Sequence, residues 1–149
     1  MFPTDKNANR GFQFFREHTV FYLSGLFKSE LWDEVILRAT HHSDAIRHAV
    51  VGLGCLHETL QSRTIDSELS DYKWAVQLKD EKWALQQYNK AIRSLTQVDL
   101  EGERPPLDVV LAACLLFCCF EVTKIRIPCL SRSNVCRFFE GILVWRSHI

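Results

Sequence analysis

The chain has 149 residues, 47% of them hydrophobic and 11% aromatic, which suits one domain with a buried core and excludes an intrinsically disordered chain. Eighteen basic residues balance eighteen acidic ones, so no net positive field is present to hold nucleic acid or an anionic membrane surface by charge alone. The balance is uneven along the chain: residues 124–149 carry five basic side chains and one acidic, net +4, which leaves net −4 for residues 1–123.

The opening MFPTDKNANR lacks the basic and then apolar regions of a secretory signal. The longest apolar run, Val109 to Phe120, is twelve residues, against the roughly 20 that a membrane-spanning helix needs. Both observations point to a soluble intracellular chain whose six cysteines stay reduced.

Gly and Pro together supply ten residues, and apolar positions recur at helical spacing, which predicts an all-α fold. Phe12, Phe15, Thr19, Tyr22 and Leu23 line one face of a first helix, with Gly25 placed for the turn that ends it. Ser29 is placed to cap a second helix that carries Glu30 and Asp33 near its positive end and buries Leu31, Trp32, Val35 and Ile36. Ser43 caps a third, running to about Leu60, with Ile46, Ala49, Val50, Leu53, Leu56 and Leu60 as its apolar stripe. Gly52 and Gly54 lower the helix propensity there by about 1 kcal/mol each relative to alanine, and close packing against another helix accounts for them.

Residues Ser62 to Ser70 are polar and read as a loop. In the fourth helix Ala84, Leu85, Tyr88, Ala91, Ile92 and Leu95 make a buried stripe, with Gln86, Asn89, Lys90 and Arg93 outside it. GERPP breaks the chain, and Pro106 sits in the first turn of a fifth helix from Leu107 to about Thr123. That helix is apolar nearly all round and is expected at the centre of the core. The whole is an irregular bundle of about five helices arranged as hairpins, followed by a poorly structured C-terminal tail.

Motifs that would carry chemistry are wanting. His57 and Glu58 open HETLQ, which lacks the second histidine of a zinc-protease helix. His48 and His57, nine residues apart, face opposite sides of one helix. With His41 and His42 they read as surface or locally bonded histidines. Cys114 and Cys118 stand at i and i+4 inside an apolar helix with no acidic or histidine partner nearby, and core packing is the better reading of them. Cys129 and Cys136 form a lone C-x6-C, too little for a zinc cluster. Asp44 with Arg47, and Glu81 with Lys82, are ordinary solvated helix charges. No phosphate-binding glycine loop and no GxSxG occur. The sequence therefore assigns no catalytic, cofactor-binding, metal-binding or DNA-binding residue, and the chain reads as not an enzyme.

Four segments taken together resemble the regulatory domain of fungal zinc binuclear cluster transcription factors: FFREHTVFYLSGLFKSELW (Phe14 to Trp32), AIRHAVVGLGCLHE (Ala45 to Glu58), ALQQYNKAI (Ala84 to Ile92) and ACLLFCCFE (Ala113 to Glu121). The resemblance implies an all-helical domain of a nuclear transcription regulator, which receives signals and contacts protein partners or a second copy of itself as a homodimer. It implies no cofactor. The zinc cluster of that family is missing, since Cys55 is the first cysteine and no C-x2-C occurs, so this chain by itself is expected not to read DNA sequence.

The resemblance fades after Glu121, where charge also switches. We therefore expect residues 1–123 to form a truncated helical regulatory domain, and residues 124–149 an atypical basic tail not native to the fold. Leu111, Leu115, Leu116 and Phe117 would then lack some of the neighbours that bury them, favouring association. The competing reading is a tetratricopeptide-like adaptor, suggested by Ala84, Tyr88 and Ala91, but no second copy follows at a 34-residue period.

Overall fold

In a computed structural model of the protein, residues 5–24, 30–65, 71–97, 102 and 104–126 are described, and all regular structure among them is helical. The helices are α1 (Lys6–Phe14), α2 (Val20–Ser24), α3 (Leu37–Ala39), α4 (Asp44–Ile65), α5 (Asp71–Thr96) and α6 (Leu107–Arg126). Two π-helical segments, Phe15–Thr19 and Leu31–Ile36, join α1 to α2 and lead into α3.

The first helix begins earlier than the apolar pattern does, because Asp5 caps it: its carboxylate accepts from the backbone N–H of Asn7 at 2.9 Å and of Ala8 at 3.4 Å. Phe15, Thr19 and Leu23 are buried and Phe12 and Tyr22 half-buried, as the spacing predicts. Gly25 and Ser29 lie outside the described residues.

In the second segment Trp32 and Ile36 are buried, but Val35, expected beside them, is 50% exposed. The cause is the π turn, in which the N–H of Leu37 reaches the carbonyl of Trp32. The wider turn carries residue i+3 away from the face that i and i+4 share. The side chain of Leu31 lies outside the described residues.

Ser43 caps α4, its hydroxyl accepting from the N–H of Ile46 at 3.4 Å. The helix runs to Ile65, past the expected end near Leu60, so the start of the polar stretch read as a loop continues it; residues 66–70 lie outside the described ones.

It is α4, and not α6, that occupies the centre. Every residue from Ala49 to His57 is buried, and α4 packs on α1, the Phe15–Thr19 turn, α5 and α6. Its two glycines make this crowding feasible. A Cβ on Gly54 would lie 2.0 Å from the carbonyl oxygen of Gly11, and one on Gly52 would lie 3.1 Å from that of Ala84, so α1 and α5 approach α4 backbone to backbone on its two sides.

On α5, Ala84 and Ala91 are buried, Leu85, Tyr88, Ile92 and Leu95 are half-buried, and Gln86, Asn89, Lys90 and Arg93 are exposed, in line with the periodicity. Two polar side chains, Gln77 and Gln87, share the buried face. The helix α6 buries only one side, through Ala113, Leu116, Cys119, Phe120 and Thr123. Its other side is open, with Leu107 72% and Leu111 61% exposed, which corrects the expectation of a central helix. An apolar composition all round sets no preferred face, and the helix with the smallest side chains at its crossings takes the middle. Leu115 and Phe117 are half-buried, Phe117 meeting Tyr88 edge-on at 5.1 Å.

Candidate functional site

Where α1 crosses α4, chain geometry assembles polar groups from three helices. Arg10 stands one residue before the Gly11 contact and so reaches over α4 toward α5. Its Nε donates to the Glu58 carboxylate at 3.0 Å and its terminal nitrogen to Asp80 at 3.1 Å. One guanidinium thus ties α1, α4 and α5 together. Beside it a groove of about 270 Å³ opens, floored by Thr59 and Gln77 and flanked by Ser62, Tyr72, Lys73 and Val76.

The Thr59 hydroxyl donates to the Cys55 carbonyl and the Ser62 hydroxyl to the Glu58 carbonyl, each at 2.9 Å, so both are engaged with their own helix. Burial, reinforced by the charge of Asp80, pushes the Cys55 thiol up to about 11, which keeps it protonated. Because Arg10 keeps 46% of its side-chain exposure, the pair energies are screened. Replacing Arg10 with alanine is therefore expected to cost less than about 1 kcal/mol in urea denaturation.

A second polar contact lies deeper. The Phe15–Thr19 π turn, in which the Val20 N–H reaches back to the Phe15 carbonyl, sets Thr19 against α4. There its hydroxyl lies 2.9 Å from Nδ1 of His57, with both side chains buried. The rings of Phe14 and Tyr22 enclose the imidazole at 5.4 and 5.0 Å. Burial, with a smaller contribution from His18, pushes His57 down to about 4, so it is neutral near pH 7.

His48 does face the other way, its Nδ1 2.8 Å from the Gln87 side-chain oxygen on α5, while His41 and His42 are exposed. His48 and His57 are thus bonded across helices rather than locally. Asp44 and Arg47 form an ion pair one helical turn apart.

The cysteines divide differently from expectation. Cys55 and Cys119 are buried, but Cys114 and Cys118, assigned to the core from the apolar context, are exposed on the open side of α6. Cys129 and Cys136 lie outside the described residues. Among the described residues no group of three or more His, Cys, Asp and Glu side chains is placed to hold a metal ion, and no helix is long and apolar enough to cross a membrane. The Arg10–Glu58–Asp80 link escaped sequence reasoning because its members are 48 and 70 positions apart and follow no period. A glycine inside a helix, such as Gly11, is the one local signal that a close crossing lay next to it.

A model of the fungal specific transcription factor domain matches residues 12–145. The chain belongs to that family. The matched range extends past Glu121, where the last of the four resembling segments ends, and takes in residues 124–145 of the basic tail. No curated protein and no solved structure matches the chain.

Proposed function

We propose that this fungal specific transcription factor domain regulates transcription in the nucleus as a helical protein-interaction module, contributing no DNA-reading element and no catalysis of its own. The observation that carries the reading is the family match over residues 12–145 on an all-helical framework. The groove between α1, α4 and α5 is consistent with it, since it opens across three helices and its Thr59 and Ser62 hydroxyls are already bonded to backbone carbonyls of α4.

Two measurements test this. Tethered to a heterologous DNA-binding domain at a reporter promoter in a fungal host, the chain is expected to change reporter output relative to that DNA-binding domain alone; unchanged output counts against a regulatory role. In a mobility-shift titration at physiological salt the chain is expected to show no sequence-selective binding tighter than about micromolar, because its eighteen basic residues are matched by eighteen acidic ones. Weak binding that disappears with added salt fits the basic tail and leaves the reading intact.

A further inference from the structure

The fold sorts the thiols into two classes. Cys55 and Cys119 are buried, and burial pushes them up to about 11 and about 12. Cys114 and Cys118 are exposed one helical turn apart on the open side of α6, in the same stripe as Leu107 and Leu111. Residues at i and i+4 of a helix hold their Cβ atoms about 5–6 Å apart. That is longer than the roughly 3.5–4.5 Å between Cβ atoms in a disulfide, so direct S–S closure would have to distort the helix. A single atom that accepts two sulfur ligands spans the gap without distortion. Zinc is a poor candidate, because a closed zinc site takes four ligands and no group of three His, Cys, Asp or Glu side chains is assembled among the described residues.

We propose that Cys114 and Cys118 form a two-thiol capture site for organic trivalent arsenicals of the type RAs(OH)2. Two As–O bonds break and two As–S bonds form; each thiol proton leaves on a departing hydroxide, so two waters are released. Arsenic remains trivalent and nothing is oxidised or reduced. Leu111, three residues before Cys114 and 61% exposed, offers the organic substituent an apolar contact on the same stripe. The buried Cys55 and Cys119 have neither the access nor a partner thiol one turn away on an open surface.

The test titrates phenylarsine oxide into the full chain carrying Cys129→Ser and Cys136→Ser, counting residual reactive thiols with a colorimetric reagent under native conditions. One equivalent of arsenical is expected to remove two reactive thiols. Cys114→Ser or Cys118→Ser alone is expected to weaken capture on the order of 100-fold, through loss of the second, tethered arm. Both side chains are exposed, so the serine variants should keep the parent's urea midpoint, and alanine replaces serine at a position where it shifts. Consumption of one thiol per arsenical, or undiminished capture when Cys114 and Cys118 are both serine, overturns the proposal.

Discussion

Replacing Gly54 with alanine is expected to cost on the order of 3 kcal/mol, the larger end of the penalty for overpacking a core. The added Cβ would stand 2.0 Å from the Gly11 carbonyl oxygen and 3.0 Å from the Phe15 Cβ. Its first obstacle is backbone, which has no rotamer to change, so α1 must lift off α4 as a unit. Doing so would also pull Arg10 from Glu58 and Asp80 and loosen the Phe15 contacts in the core.

The direction of the effect is diagnostic. Alanine has the better helix propensity by about 1 kcal/mol, so an uncrowded glycine would gain stability from the same change. Gly11→Ala, with its Cβ 2.7 Å from the Val51 carbonyl, is expected to cost less than Gly54→Ala, and Gly52→Ala, at 3.1 Å from the Ala84 carbonyl, least of the three. Urea denaturation of the set decides it, and a Gly54→Ala protein as stable as its parent would remove the close crossing from the account.

The second large effect concerns pH. The ordinary histidine value is 6.5 and burial in the fold brings His57 to about 4. Above pH 6.5 the imidazole is neutral in both folded and unfolded chains and contributes no pH dependence. As pH falls from 6.5 toward 4 the unfolded chain takes up a proton that the folded chain does not, and stability declines by at most about 1.4 kcal/mol per pH unit, or about 3 kcal/mol in all. Below pH 4 both states are protonated and the loss stops growing. Thermal melts of the parent and of His57→Gln from pH 7.5 to 4 measure this. The variant is expected to show a visibly flatter decline above pH 5, where carboxylates common to both proteins have not yet begun to titrate strongly. Identical slopes would mean that water reaches the imidazole and that the Thr19–His57 pair is not sealed.

The sequence by itself determined the fold class, the family and most of the helix faces. Helical periodicity is a local property, so the stripe on α5 and the Phe12-to-Leu23 face of the first helix could be read from spacing alone. The glycines of α4 could likewise be read as close crossings, because an unfavoured residue inside a helix needs a packing reason.

Tertiary structure alone decided which helix sits in the middle and which side of α6 stays open. An all-round apolar helix such as α6 has no moment to orient it, whereas α4 takes the centre because Gly52 and Gly54 admit two neighbours at backbone contact. The exposure of Cys114 and Cys118 follows from that choice and from nothing in their flanking residues. The turn that exposes Val35 and the one that aims Thr19 at His57 are both π-helical, and a pattern that assumes 3.6 residues per turn cannot register them. The Arg10 link between three helices depends on where the chain returns in space, which local spacing does not encode.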